Sequence, residues 1–252
     1  MDTHKRGSIC YGHISSATGH VNDKQLATDR ASQLAILVQI RTAFASLPSL
    51  GGALHGIRRI RHGGKGRRTS LFPSRKNEAS LALESRLELA HALQLERDPH
   101  VQKYRAQAIQ IALPHGFHAV PDFLVQTTAG DFEVHEVKPS IEHLSTDELA
   151  RFQTIEEVLN SVSVRFRLID HRSLPNEVEL CRLLQLYARG HVHNFTPLQV
   201  KLARQLLIKT TPKCLLDAHT MLINAELPSM LAEHLIFHKV IELPTHPGAV
   251  SW

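Results

Sequence analysis

Cysteine is scarce in this chain. Cys10, Cys181 and Cys214 are the only three in 252 residues, far apart and with no CxxC pair, which excludes a disulfide framework and a zinc ribbon and points to a reducing compartment. No window approaches the ~20 consecutive apolar residues that cross a bilayer. The opening MDTHKRGSICYGHISS has no apolar signal core, so a cytoplasmic protein without a membrane partner is expected. Histidine is plentiful at 18, yet none falls in HExxH or a comparable ligand spacing, so these residues read as scattered surface and core positions. Apolar residues make up 42 % and charged residues 21 %, close to globular averages, which excludes a disordered or fibrous chain. The length suits one large domain or two small ones.

Acidic residues are nearly missing from the first 75 positions. These hold 12 Lys+Arg against 3 Asp+Glu, a balance of +9, and the other 177 positions hold 17 against 21, or −4. The densest basic stretch is GIRRIRHGGKGRR, Gly56 to Arg68, which sets Arg58, Arg59, Arg61, Lys65, Arg67 and Arg68 among four glycines. A flexible basic segment suits phosphate contacts, which are electrostatic and indifferent to base sequence. The same composition also serves a solvated linker.

Residues 22–46 place Leu26, Leu34, Leu37, Val38, Ile40 and Phe44 near one stripe, predicting a helix that Pro48 and Gly51-Gly52 end. A second helix is predicted from Asn77, as its N-cap, to Glu96, with Leu83, Leu87, Ala90 and Leu93 at helical spacing. From Val101 the pattern turns to strands: VQKYRAQAIQIAL, FHAVPDFLVQT and FEVHEVK, with turns at Pro114-His115-Gly116 and Ala129-Gly130-Asp131. Ser145-Thr146-Asp147-Glu148 is a capping box opening a helix with Leu149, Phe152, Ile155 and Leu159 inward, and VSVRFRLID alternates as a further strand. This order predicts an α/β (α+β) fold, a mixed sheet flanked by helices. Beyond Arg172, Pro175, Pro197 and Pro212 each mark a helix start, the last two after threonine N-caps. The expected organisation is a helical arm over 1–55, a sheet domain with its basic entry segment over 56–171, and a small helical domain over 172–252.

Chemistry concentrates in VPDFLVQTTAGDFEVHEVKPS, Val120 to Ser140. In FEVHEVK, Glu136 and Lys138 project to one side of the strand, about 6.6 Å apart along its axis. They share that face with Phe132 and Val134, and an ionised pair beside an apolar row is costly unless it pairs or binds something. Asp122 lies across the hairpin, behind Pro121. Two carboxylates at strand ends with a lysine beside them suit a divalent metal that keeps waters and meets a substrate phosphate, the chemistry of phosphodiester hydrolysis. The bland alternative is a solvent-facing cross-strand ion pair.

Pro121-Asp122 followed by Glu136-Val137-Lys138 resembles the PD-(D/E)xK signature of restriction-endonuclease-like nucleases. The flanking sequence adds Ser74-Arg75-Lys76-Asn77, Ser85-Arg86-Leu87-Glu88, Leu95-Glu96-Arg97-Asp98-Pro99-His100-Val101 and Gln107. In order and spacing, over about residues 58–170, this set resembles the TnsA-type endonuclease subunit of heteromeric transposases. The resemblance implies a restriction-endonuclease-like fold, with Asp122, Glu136 and the Val137 carbonyl as metal ligands and Glu88, through a water, as the helix-borne acid. It implies Lys138 as catalytic lysine, and Lys76 is expected among the DNA contacts together with the basic residues 58–68. Glu84, one turn before Glu88, competes with it, and Gln107-Ala108 departs from the family's Gln-Pro, leaving the role of Gln107 open.

The implied cofactor is Mg²⁺, with Mn²⁺ substituting. The implied activity is nicking of double-stranded DNA at a transposon's 5′ ends in the bacterial cytosol. The implied partners are a DDE-type transposase for the 3′ ends and an AAA+ regulator ATPase that contacts the C-terminal domain. Two other functions fit the same residues: a stand-alone nuclease of repair or restriction, and a non-catalytic DNA-binding scaffold. Against the scaffold, all four site positions hold chemically competent residues.

Overall fold

A four-stranded sheet carries the predicted site and separates two hydrophobic cores. The structure is a computed structural model, and it describes residues 23–45, 47–48 and 69–243. Arg58, Arg59, Arg61, Lys65, Arg67 and Arg68 lie outside the described residues.

Helix α1 (Asp23–Ala45) precedes a hairpin of β1 (Ser70–Ser74) and β2 (Ala79–Leu83), and α2 (Arg86–Arg97) leads into β3 (Val101–Ala106). A short antiparallel pair, β4 (Ile111–Ala112) and β5 (His118–Ala119), brackets a 3-10 turn at Pro114–Gly116. Then come β6 (Phe123–Thr127), β7 (Phe132–Lys138), α3 (Thr146–Asn160) and β8 (Arg165–Asp170). The chain continues through α4 (Glu177–Gly190), α5 (Pro197–Thr210), α6 (Leu215–Asn224) and α7 (Leu231–Phe237). The sheet order is β3-β6-β7-β8, antiparallel except for the β7–β8 pair, which α3 joins as a parallel crossover. The fold is mixed α/β with a helical C-terminal region, as the element order predicts.

Side-chain alternation along β7 feeds both cores. Val137 joins a cluster formed with the β1–β2 hairpin, α2 and the C-terminal helices, whereas Val134 joins one formed with α1, α3 and the β4–β5 pair. The first cluster runs without interruption from Phe72 and Leu93 to Leu183, Tyr187 and Phe237. The predicted boundary near residue 172 is therefore a chain connection and not a break in packing. Among the described residues no helix is long and apolar enough to cross a membrane.

The predicted helix from Asn77 to Glu96 is replaced by a hairpin followed by a shorter helix. Leu81 and Leu83 are completely buried from β2, and the turn before it is held by Asn77 in place of a helix cap. The Asn77 amide donates to Ser74 Oγ (2.7 Å), and its carbonyl oxygen accepts from Tyr104 N–H (2.9 Å) and from Arg105 (2.7 Å). Glu78 takes φ 52° to close the turn. The helix begins only after Ser85, whose hydroxyl accepts the Glu88 N–H.

The buried face of α1 also differs from the predicted stripe. Ile36 and Ile40, one turn apart, are buried, while Leu34 and Val38 are 62 % and 53 % exposed. The docking contacts decide this. Gln39 exchanges two hydrogen bonds with the backbone of Gln110, Phe44 stacks on Phe132, and Arg105 donates to the Ala43 carbonyl (2.9 Å). The helix of the predicted arm is thus part of the second core. The capping box at Ser145 and Glu148 is present, with Phe152, Ile155 and Leu159 inward and Leu149 exposed. Thr196 and Pro197 open α5, but α6 starts at Leu215, because Thr211 is taken as the left-handed cap that ends α5.

Candidate active site

The sheet brings Asp122 and Glu136 together through strand register. Phe123 pairs with His135 across β6 and β7, so the next position outward sets Asp122 opposite Glu136. One carboxylate oxygen of Asp122 accepts the Val137 N–H at 2.8 Å, and its carbonyl accepts the Gln107 N–H at 2.9 Å. Both ends of the residue are therefore anchored to neighbouring backbone. Gln107 holds this contact with φ 48° and is itself buried, which assigns it to positioning of the Asp122 backbone.

Glu136 is 8 % exposed, so its pair with Lys138, at 2.8 Å, is not a solvent-facing surface bridge. The Lys138 ammonium also lies over the Phe152 ring, 5.5 Å from its centroid.

Glu88 arrives from the other side of the cleft on the first turn of α2. Its carboxylate accepts the Glu84 N–H at 2.9 Å while its own N–H donates to Ser85. This double anchoring at a helix N-terminus, where the macrodipole favours an anion, holds Glu88 buried. Burial and the charges of Glu136 and Glu88 push the Asp122 carboxyl up to about 8, against the opposing pull of the Val137 N–H and Lys138. Glu84 lines the same cleft, but Glu88 is the helix acid whose charge acts on Asp122.

The cleft is open, with a volume of about 890 Å³, and Glu84, Glu88, Asp122, Glu136, Lys138 and Arg151 line it. Burial first, and then the neighbouring carboxylates of Glu136 and Glu88, raise the Asp122 carboxyl, while Arg86, Lys138 and Arg151 are the cations that line the cleft. Oxygen donors of this kind would suit Mg²⁺ or Mn²⁺, whose charge would offset the crowding of carboxylates. Asp122, Glu136, the Val137 carbonyl and Glu88 are the residues that could hold it. Neither a protein-family model nor a curated protein matches the chain. The chemistry of the cleft has to stand on its own residues.

Two lining residues were not foreseen. Arg151 stands on the exposed face of α3, and His118 comes from β5. Nothing in the local sequence marks either one, since α3 and the β4–β5 pair reach the cleft only through the crossover and the sheet register.

The remaining residues of the predicted set form a different assembly. Glu96 is buried and accepts five hydrogen bonds at 2.7–3.1 Å, from the hydroxyls of Ser74, Tyr104 and Tyr187 and the N–H groups of Arg75 and Lys76. Lys76, expected at DNA, instead gives its ammonium to the carbonyls of Leu95, Asp98 and Val101. It closes the C-terminal end of α2 and so has no donor left for a phosphate. The Ser-Arg-Lys-Asn stretch and Glu96 thus fasten the hairpin turn to α2 and α4. They do so away from the cleft. A second buried relay, Glu133 to His135 to His91 at 3.0 and 2.9 Å, lies behind β7. Burial and the neighbouring His135 press His91 down to about 3.

Proposed function

We propose that this chain is a DNA endonuclease that hydrolyses phosphodiester bonds with a divalent metal ion. The observation that carries this reading is the convergence of Asp122, Glu136 and Glu88 on one open cleft with Lys138 against Glu136. When bound, Mg²⁺, or Mn²⁺ in its place, supplies a Lewis acid and lowers the pKa of a coordinated water.

The protein's own groups do the rest. The Val137 N–H fixes the direction of the Asp122 carboxylate, so no conformational search precedes ligand binding. Lys138, 2.8 Å from Glu136, is placed to offer N–H to an attacking water or to a non-bridging phosphate oxygen as charge builds there. Arg151 at the mouth adds a cation for the flanking phosphate. An open cleft admits a polymer backbone, where a closed cavity would select a small molecule.

The transposition setting rests on the sequence resemblance. In that setting the substrate is the 5′ end of a transposon in double-stranded DNA, with a DDE-type transposase and an AAA+ regulator ATPase as partners. The deciding assay incubates supercoiled plasmid carrying transposon ends with the chain, Mg²⁺ or Mn²⁺, and the partner proteins added in turn. Partner-dependent nicking that drops at least ~100-fold in both Asp122→Ala and Lys138→Ala is expected. Undiminished cleavage by both variants refutes the site. Nicking of any DNA without partners indicates a stand-alone nuclease, and an inactive wild type with every partner present indicates a scaffold.

A further inference from the structure

Away from the acidic cleft, three histidines converge where the last turns of α4 and α7 meet. His191 caps the C-terminal end of α4, His234 lies within α7, and His238 caps its end. One nitrogen from each imidazole falls within 4.8 Å of the other two. The spacing His234-x₃-His238 puts two of them on one helix face, and the third comes from a residue 43 positions earlier in the chain. Reading all the histidines as scattered was therefore incomplete.

The backbone is shaped for this meeting. A Cβ on Gly190 would stand 2.6 Å from the His234 backbone nitrogen and 2.8 Å from its Cα, so only glycine lets α4 approach α7 so closely. His191 Nδ1 lies 3.0 Å from the Tyr187 carbonyl, and His234 Nδ1 lies 3.2 Å from the Gly190 carbonyl. A carbonyl can only accept, so both Nδ1 atoms carry the proton and both Nε2 atoms present a bare lone pair. This is the outer arrangement that orients metal-binding histidines, with the distal ring N–H donated to a backbone carbonyl. His191 Nε2 and His238 Nε2 then face one another at 3.1 Å, near the ~3.3 Å separation of two ligands on a tetrahedral ion with bonds of about 2.0–2.1 Å.

We propose that His191, His234 and His238 form a second metal site, for a zinc-class divalent ion, that clamps the end of α4 to α7. The rings of Tyr187, Phe195 and Phe237 wall it, at 4.3–5.4 Å from the imidazoles. Two helix C-termini end here and favour a cation. The opposing charges are Lys76 and Arg97 beside His238 and Arg75 beside His191. Arg75 is itself bonded to the His191 carbonyl and to Asn194. With cations nearby and no carboxylate among the ligands, the ion must gain strong bonds to imidazole, which selects zinc over Mg²⁺. Through Arg75 the clamp also bears on the β1–β2 turn. Three protein ligands leave a fourth position to water.

The test uses full-length, tag-free protein, stripped with chelator and titrated with Zn²⁺ in Mg²⁺-free buffer, with bound metal counted after gel filtration. Parallel titration of Asp122→Asn separates zinc held by the carboxylate cleft. One Zn²⁺ per chain is expected to survive Asp122→Asn and to weaken by more than ~100-fold in His191→Gln and in His238→Gln, above what loss of an outer partner costs. Co²⁺ bound to wild type gives a readout that needs no variant to fold: the visible bands of a tetrahedral, nitrogen-rich site. Absence of zinc beyond the carboxylate cleft, octahedral cobalt bands alone, or zinc retained by folded histidine variants would overturn the proposal.

Discussion

Replacing Asp122 by Asn should stabilise the metal-free protein and flatten its dependence on pH. The Asn side-chain carbonyl can still accept the Val137 N–H, so the substitution removes ionisation and little else. In the folded protein the Asp122 carboxyl is raised from 3.8 to about 8, by burial first and then by Glu136 and Glu88. In the unfolded chain it titrates near its ordinary value. Below pH 4 both states hold the proton, and this residue costs nothing. As pH rises from about 4 to about 8, the unfolded state releases the proton while the folded state keeps it, so stability falls by up to ~1.4 kcal/mol per pH unit from this group. Between pH 5 and pH 8 the loss is about 4 kcal/mol at most, and coupling to the two glutamates reduces the share that belongs to Asp122 alone. Above pH 8 the penalty is constant.

Urea melts in chelator, from pH 5 to pH 9, measure this directly. Wild type should lose stability across the window relative to Asp122→Asn, with the two curves converging toward pH 4. Mg²⁺ should recover stability in wild type, more at pH 8.5 than at pH 6, and should do little for the variant. Parallel pH profiles for the two proteins would refute the convergence of the three carboxylates.

Glu96→Ala should cost about 3–5 kcal/mol by denaturant melt, because it leaves three hydroxyls and two backbone N–H groups without their shared acceptor. Lys76→Met should lower stability by about 1–3 kcal/mol and leave the salt dependence of DNA binding unchanged, since the ammonium is spent on α2. Ile40→Ala should cost about 2–5 kcal/mol, whereas Leu34→Ala should stay within about 0.5 kcal/mol. Equal effects from those two would contradict the face of α1 that packs. Ser85→Ala should cost about 1 kcal/mol and depress cleavage further than that loss explains, because Ser85 sets the turn that presents Glu88.

Local chemistry made much of the sheet and one half of the site legible from sequence. Alternation in FEVHEVK and the turn at Gly130 define a hairpin whose register is set once two apolar faces must be buried. That register alone places Asp122 against Glu136 and puts Lys138 beside Glu136. The capping box at Ser145 and the threonine N-cap at Thr196 were readable for the same reason, since each is satisfied within four residues.

Tertiary contacts decided the rest. Asn77 has the look of a helix cap, but its amide is claimed by Ser74, Tyr104 and Arg105, and three such partners outweigh a local propensity. The apolar residues of α1 permit more than one stripe, and the choice fell to Gln39, Phe44 and the surface they met. The selection of Glu88 over Glu84 depended on where α2 starts, which the hairpin sets. The histidine cluster has no signature beyond His234-x₃-His238, because Gly190 brings in the third ring from a distant helix. Periodicity and capping act over a few residues and are written in the chain; convergence of charged groups from separate elements depends on packing, and packing belongs to the folded whole.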